Sequence, residues 1–279
     1  MAQSTLPWSQ RLRPMPSIRW SMRIWQFLSL PLLLFLLLPL VAIFLRIPMP
    51  DFITNLREQQ VAQAVGLSLM TSLITVCVTI IFGTPVAYLL ARHHFPFRRV
   101  VDTLLDLPTV LPPAVAGVAL LMAFGRRGIV GGWLDEWGIH IAFTQAAVVL
   151  AQTFVAAPLY VKAAILGFGS IEPELEQAAA LDGASSWHIF RYVTIPLSWT
   201  ALLSGMVMTW ARALGEFGAT IIFAGNYPGR TQTMPLAIYI GFELDLSIAL
   251  TLAVILVGCS FVVLMIVKGF LHKELNSAS

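Results

Sequence analysis

The sequence predicts an all-α membrane protein with six transmembrane helices and one large cytoplasmic insertion. Three observations predict this fold class: 58% of the 279 residues are hydrophobic, 11% are charged, and the mean hydropathy is +0.82. Soluble domains carry about 25% charged residues, so a soluble fold is excluded. The net charge of +3 is too small to indicate nucleic acid as a partner, because a lipid bilayer accounts for basic loops more simply.

Uncharged stretches of about 20 residues are long enough to cross the roughly 30 Å hydrocarbon core as helices. Six such stretches predict one transmembrane domain, residues 27–270, in which 170–197 form the cytoplasmic insertion. Prolines inside several of the stretches predict broken helices, which favour a transporter over an inert anchor. The spans are expected at 27–45, 61–90, 107–125, 139–161, from about 196 onward, and 246–267.

The basic residues predict the orientation, because cytoplasmic loops carry the excess of Lys and Arg. Eleven of the 17 fall on the side of both termini and five on the other side, while Arg212 lies inside the fifth span. The segments 1–26 and 271–279 are therefore expected in the cytoplasm. The first span follows arginines as a signal peptide does, but it lacks a cleavage site and is expected to remain as an anchor.

The cytoplasmic insertion is the most informative part of the chain. Pro173 suits the first turn of a helix, and Gly183 supplies the left-handed residue that ends it. Ser185 can cap a second short helix that carries Trp187 and Phe190. Two short helices around a glycine turn form a knob, which either fits a partner's groove or packs on the chain's own spans.

The insertion resembles the coupling segment of importer permeases of the ATP-binding cassette (ABC) class. That family carries E-A-A-x-x-x-G followed nine residues later by I-x-L-P, and this chain has Q-A-A-A-L-D-G at 177–183 and V-T-I-P at 193–196. The chain departs from the family where Gln177 replaces the usual glutamate. The resemblance assigns coupling to the ATPase to Glu176, Gln177, Ala178, Ala179, Asp182, Gly183, Ala184, Trp187, Phe190 and Pro196.

The fifth span and the loop after it look like the membrane subunit of the molybdate importers. The matching stretches are A-R-A-L-G-E-F-G-A-T at 211–220, F-A-G-N at 223–226 and T-M-P-L-A-I-Y at 233–239. Sulfate permeases share the R-A-L-G-E core and the A-G-N. The resemblance, which extends from the second span to the sixth, therefore indicates an oxyanion and leaves molybdate, tungstate and sulfate open.

The resemblance implies a type I ABC importer permease fold in a prokaryotic inner membrane. Two copies of the subunit would surround one path, two ATPase subunits would grip the two knobs, and an external binding protein would deliver the anion to outer segments such as 51–60 and 226–232. ATP and Mg²⁺ would bind the ATPase, because this chain has no G-x-x-x-x-G-K-[ST] phosphate loop. No catalytic residue, metal site or cofactor is expected in the chain itself.

Arg212 and Glu216 are the only charges deep in the fifth span, and their i, i+4 spacing lets them pair on one helix face. Three roles are open: an internal salt bridge, lining or gating of the path, and direct anion binding. Two interpretations, a constriction of the path or tight helix packing, apply equally to their small and apolar neighbours. These neighbours are Gly215, Phe217, Gly218 and Thr220.

Two other function classes explain less of the sequence. A stand-alone secondary transporter would use Arg212 and Glu216 as an ion relay but leaves the long insertion without a role. An intramembrane protease would need two facing carboxylates, whereas Asp102 and Asp106 lie one turn apart on one helix. We expect these two carboxylates to be solvated or paired with an arginine of the preceding loop, Arg98 or Arg99.

Overall fold

The computed structural model describes the backbone of residues 19–277 and the side chains of residues 24–269. Over that range the chain is helical and contains no strand. In chain order the helices are α1 (Arg19–Arg46), α2 (Met49–Asn55), α3 (Gln59–Arg92), α4 (Arg98–Val110), α5 (Pro113–Phe124), α6 (Gly131–Glu136), α7 (Gln145–Gly169), α8 (Pro173–Leu181), α9 (Ser186–Ile189), a π-helical segment (Phe190–Thr194), α10 (Ile195–Leu197), α11 (Trp199–Leu214), α12 (Gly218–Phe223), α13 (Met234–Leu244) and α14 (Leu246–Ser277).

Helix α1 belongs to a compact unit of its own that ends at Arg46, and the described residues from Ile47 onward belong to a second unit. The helix contains the predicted first span, 27–45, and is long and apolar enough to cross a bilayer. Residues 1–18 of the predicted cytoplasmic segment and residues 278–279 of the predicted tail lie outside the described residues.

Among the described residues, four helices have the length and apolarity of a membrane span: α1, α3, α7 and α14. Two bent helix pairs raise the number to as many as six if each pair counts as one span. The predicted spans 27–45, 61–90 and 246–267 lie within single helices and are confirmed as helical. The other three predicted spans differ from the structure in ways that have physical causes.

The predicted third span, 107–125, is broken, as the prolines inside it predict. Helix α4 ends at Val110, and the next helix begins at Pro113 with its axis turned by 117°. Proline restricts the residue before it to extended conformations, and Leu111 and Pro112 are both extended at this break. Helix α5 alone, with 12 residues, measures about 18 Å.

The predicted fourth span, 139–161, is displaced toward the C-terminus and lies at α7, 145–169. Thr144 fixes the start of the helix, because its hydroxyl accepts a hydrogen bond from the Ala147 amide at 3.4 Å. Pro158 lies inside α7 without ending it. Lys162, which the sequence pattern places directly after the fourth span on the cytoplasmic side, is therefore part of the helix.

Helix α7 is the centre of the bundle, since α3 and α11 both pack along it. Small residues allow this close approach. A Cβ atom at Gly83 would lie 3.1 Å from Val161 Cγ2, and one at Gly205 would lie 2.8 Å from Ala163 Cβ. A buried hydrogen bond from Thr75 Oγ1 to Gln152 Oε1, 3.1 Å long, adds a polar link between α3 and α7.

The short helices α5 and α12 form a second tight contact beside α7. A Cβ atom at Gly117 would lie 2.8 Å from Ile222 Cβ and 2.9 Å from the backbone oxygen of Ala219. The predicted fifth span is broken at residues 215–217, between α11 and α12. Its second part, α12, packs on α5, which is the second part of the predicted third span. The loop before α13 is anchored by a hydrogen bond from the Met234 amide to Ser68 Oγ, 2.7 Å long.

Candidate functional site

The knob, residues 173–197, folds as two short helices around a glycine turn, as predicted. Helix α8 begins at Pro173, and Gly183 adopts φ = +87°, which an L side chain rarely tolerates. The Ala184 amide donates to the Ala179 carbonyl at 3.0 Å, and this bond closes the end of α8. Ser185 caps α9 by accepting a hydrogen bond from the His188 amide at 3.4 Å.

One face of the knob is open to its surroundings. Helix α8 contains no buried residue, and Leu181 at its end is 89% exposed. On α9, Trp187 is 63% exposed. An exposed leucine and tryptophan beside small alanines form an apolar patch of the kind that protein partners cover. The residues of this open face are Gln177, Ala178, Ala180, Leu181 and Trp187.

The opposite face of the knob is held by Glu176, which the sequence places beside the coupling motif. Arg92 Nη2 at the end of α3 donates to Glu176 Oε1 at 3.1 Å, and Thr194 Oγ1 donates to the same oxygen at 2.8 Å. Arg92 Nη1 also donates to the carbonyl of Ile171 at 3.2 Å. Both charged side chains are largely buried. Sequence reasoning missed Arg92, because its partner lies 84 residues away.

Phe190 packs inward as well. Its ring centroid lies 5.2 Å from that of Tyr88 and 6.3 Å from that of Phe168, so it contacts the ends of α3 and α7. Trp187 lies at the exposed edge of this cluster, with its ring centroid 5.8 Å from that of Phe190. The inner face of the knob thus packs on the chain's own helices, as one of the two interpretations predicts, and the outer face is exposed.

The remaining motif residues lie between these two faces. Ala179 and Ala184 are half-buried, while Asp182, Gly183 and Pro196 are exposed. Pro196 belongs to α10, which follows the π-helical segment Phe190–Thr194. The chain then turns by 72° at Ser198 into α11, where Ser198 Oγ donates to the Thr194 carbonyl at 2.7 Å. Such π-helical segments occur often at functional sites.

Arg212 and Glu216 form an ion pair, although they do not share one helix. Helix α11 ends at Leu214, so the prediction that both lie on one helix face is wrong. Arg212 Nη1 donates to Glu216 Oε2 at 2.6 Å, and the Ala219 amide donates to Glu216 Oε1 at 2.9 Å. The carboxylate therefore caps α12, which explains why the helix breaks here. Glu216 is 1% exposed, whereas Arg212 is half-buried.

The neighbours of this pair lie mostly in helix contacts. A Cβ atom at Gly218 would lie 2.5 Å from Pro113 Cβ, and Thr220 is fully buried. Phe217 is half-buried, with its ring centroid 5.1 Å from that of Tyr239 on α13. Gly215 is exposed at the break. The contacts of Gly218 and Thr220 match the packing interpretation.

Asp102 and Asp106 pair with a residue that the sequence did not indicate. Lys162 Nζ donates to Asp102 Oδ1 at 2.6 Å and to Asp106 Oδ2 at 3.0 Å. The prediction of a pair with Arg98 or Arg99 is wrong, because α4 packs against α7 and brings Lys162 between the two carboxylates. No local pattern could reveal this contact, since the partners lie 56 and 60 residues apart.

Comparison with known proteins identifies the family. The molybdenum transport system permease protein ModB of Mycobacterium tuberculosis is 40% identical over 233 residues, which cover 84% of this chain and 88% of that protein. The sulfate transport system permease protein CysW of Escherichia coli is 39% identical over 206 residues, 73% of this chain and 71% of that protein. A crystal structure of a bacterial ABC transporter that imports alginate shares the fold, with a TM-score of 0.71 at 16% identity over 92% of this chain and 97% of that one.

The family match itself spans residues 83–276, from the end of α3 through α14. It includes the knob, the Arg212–Glu216 pair and the broken helices beside it. Since the match covers more than half of the chain, this protein belongs to the family of binding-protein-dependent transport system inner membrane components, which are permease subunits and not enzymes.

Proposed function

We propose that this protein is the permease subunit of an ATP-driven, binding-protein-dependent oxyanion importer whose anion is molybdate, with tungstate as a second substrate. The family and the ModB relative support this proposal. The CysW relative makes sulfate the second candidate. Two copies of the chain surround one path in the cell membrane, with both termini cytoplasmic, and two ATPase subunits supply the energy.

The observation that supports this proposal most directly is the difference between the two faces of the knob. Its inner face is fixed by the bond between Arg92 and Glu176, and its outer face presents Ala178, Leu181 and Trp187 without a described partner. Small side chains allow a groove to approach closely, and an exposed tryptophan can serve as an anchor within it. An ATPase subunit that grips this face can push or pull the knob as a rigid body.

The knob has two connections to the transmembrane bundle through which such a movement can pass. The first is Arg92, which ties Glu176 to the end of α3. The second is the bend at Ser198, where the knob continues into α11. Both α3 and α11 pack along α7, so displacement of the knob shifts two neighbouring helices together. ATP can drive the change between inward-open and outward-open states only if it binds one state better.

The external binding protein contacts the opposite side in this proposal. Within the outer segment 226–232, residues 227–230 are exposed and form a turn, whereas Gln232 is buried. Gln60 Nε2 donates to Gln232 Oε1 at 3.4 Å, so the second outer segment, 51–60, supports the base of this turn. The exposed turn is the part of the two segments best placed to receive a partner.

The test is uptake of radiolabelled molybdate by liposomes that contain the chain and its ATPase, with the binding protein outside. We expect uptake to require ATP and all three proteins. Tungstate should compete at a concentration similar to that of molybdate, and sulfate only in large excess. More effective competition by sulfate would transfer the assignment to the second candidate. Uptake by the chain alone, without nucleotide, would overturn the proposal in favour of a secondary transporter.

A further inference from the structure

A cavity of about 650 Å³ lies where α3 ends and α4 begins, on the side of the knob. Apolar side chains from three segments form part of its wall: Leu90, Phe97 and Ile165. His94, Arg98 and Arg99 contribute the basic part, with Arg98 Nη1 3.1 Å from His94 Nδ1. The volume lies within the range of cavities that bind small organic ligands, about 300–1,000 Å³. One wall therefore suits an anion and the other suits a hydrocarbon chain.

The two arginines are available to an external anion because the nearest acids are already occupied. Asp102, which also lines the cavity, and Asp106 both bind Lys162, at 2.6 and 3.0 Å. Within residues 24–269, neither Arg98 nor Arg99 takes part in a salt bridge. Lys162 thus offsets one of the two negative charges of Asp102 and Asp106, and the two arginines leave the group with an excess of positive charge.

The backbone at the cavity entrance holds an aromatic ring outward. Phe97 has φ = +67°, an unfavourable conformation for a bulky residue, and its side chain is 77% exposed. Exposed apolar side chains continue along α4 from this ring, at Val100, Leu104 and Leu107. A helix with exposed apolar residues on one side and acids bound to the protein on the other is typical of a membrane interface.

We infer that this cavity binds an anionic phospholipid, with the phosphate between Arg98 and Arg99 and an acyl chain along Leu90, Phe97 and Ile165. The placement in the cytoplasmic leaflet rests on the proposed function, which puts the knob in the cytoplasm. Basic pockets between membrane helices on the cytoplasmic side bind acidic head groups, and this cavity adds an apolar wall for the attached chain.

The test titrates the full chain, purified in detergent and stripped of lipid, with phosphatidylglycerol and counts bound lipids by native mass spectrometry. We expect R98Q/R99Q to weaken binding about 30-fold at low salt, roughly fivefold for each arginine. The matched control is R126Q/R127Q, an exposed arginine pair at the opposite ends of the spans, which should bind like the wild type. Phosphatidylcholine and inorganic phosphate should bind weakly to the wild type and to both double variants.

A second variant, Phe97→Asn, removes the ring and keeps the backbone, because asparagine tolerates a left-handed conformation. We expect weaker phosphatidylglycerol binding with no loss of thermal stability.

Equal losses of phosphatidylglycerol binding in R98Q/R99Q and in R126Q/R127Q would overturn the inference, as would displacement of the lipid by similar concentrations of inorganic phosphate. Loss of ATPase capture by R98Q/R99Q with unchanged lipid binding would assign the surface to the ATPase instead. The lipid assay contains neither ATPase nor molybdate, so its failure and failure of the proposed function are separable.

Discussion

At the scale of single residues, Glu176 and Gln177 show how adjacent positions on one helix serve different surfaces. Consecutive helical residues point about 100° apart, so Glu176 faces Arg92 while Gln177 faces outward. The resemblance to the coupling motif directs attention to position 177, where glutamine stands for glutamate. The structure shows that the neighbouring acid makes the ion pair and that the outer face of α8 is left without this charge.

We predict that Arg92→Met lowers the amount of anion transported for each ATP hydrolysed, because the knob loses its link to α3. The charge-exchanged variant Arg92→Glu/Glu176→Arg should recover a large part of this ratio, since the pair can form again in the opposite sense. ATPase capture should change little in either variant. A constant transport ratio in Arg92→Met would show that the pair plays no part in transmission. Arg57→Met is the control, because Arg57 precedes the first residue of α3 whereas Arg92 is its last.

The pair Arg212 and Glu216 calls for a test that separates stability from transport. Arg212→Leu leaves the buried Glu216 carboxylate without its cation, and a buried charge without a partner is strongly destabilising. We predict a large drop in the unfolding temperature in detergent, partly restored by Arg212→Leu/Glu216→Gln. If the pair is only structural, transport returns together with stability. Restored stability without transport would assign Arg212 to the path.

At the scale of elements, the long helices and the proline break in the third span could be predicted from the sequence, but neither the angle of that break nor the break before α12 could. Hydropathy reports how apolar a segment is but not its direction, so Pro112 and Pro113 were counted inside a span that the structure turns by 117°. The break before α12 depends on Glu216 capping that helix, which a continuous apolar pattern conceals. The knob was predicted with its glycine turn because capping signals are local, whereas its attachment to Arg92 is not.

The glycine turn of the knob yields a prediction about its shape. A Cβ atom at Gly183 would meet nothing within 4 Å, so only the backbone angle of +87° demands glycine within this chain. Gly183→Val is expected to distort the turn at a cost of about 1–2 kcal/mol and to uncouple ATP hydrolysis from uptake. Gly183→Asn, which accepts the left-handed conformation, should stay coupled. Uncoupling by both variants would indicate that the ATPase approaches too closely for any side chain.

The contact between α5 and α12 can be tested with one substitution at two glycines. Gly117→Ala places a methyl group 2.9 Å from the Ala219 backbone oxygen, and overpacking of this kind costs about 1–3 kcal/mol. Gly66→Ala in α3 meets nothing within 4 Å and should stabilise the helix by about 0.5–1 kcal/mol. We expect opposite shifts in the unfolding temperature in detergent. Equal shifts would contradict the close packing of α5 and α12.

At the scale of the whole molecule, α11 joins the two parts of the candidate site. Its 16 residues span about 24 Å, from the bend at Ser198 beside the knob to the break that holds Arg212 and Glu216. A movement of the knob can therefore reach the broken helices through one rigid element that packs along α7. The ion pair and the cap on α12 lie at the far end, where a small displacement of α11 changes the start of α12.

The exposed apolar patch of the knob predicts where the ATPase binds. Leu181 on the knob and Ile129 near α6 are both 89% exposed, but they lie at opposite ends of the helices. Leu181→Arg places a charge in the apolar patch of the knob and should abolish capture of the ATPase by the detergent-solubilised chain. Ile129→Arg adds the same charge to an equally exposed position and should leave capture intact. Capture that survives Leu181→Arg, or that fails equally in both variants, would mean that the knob is not the surface that the ATPase grips.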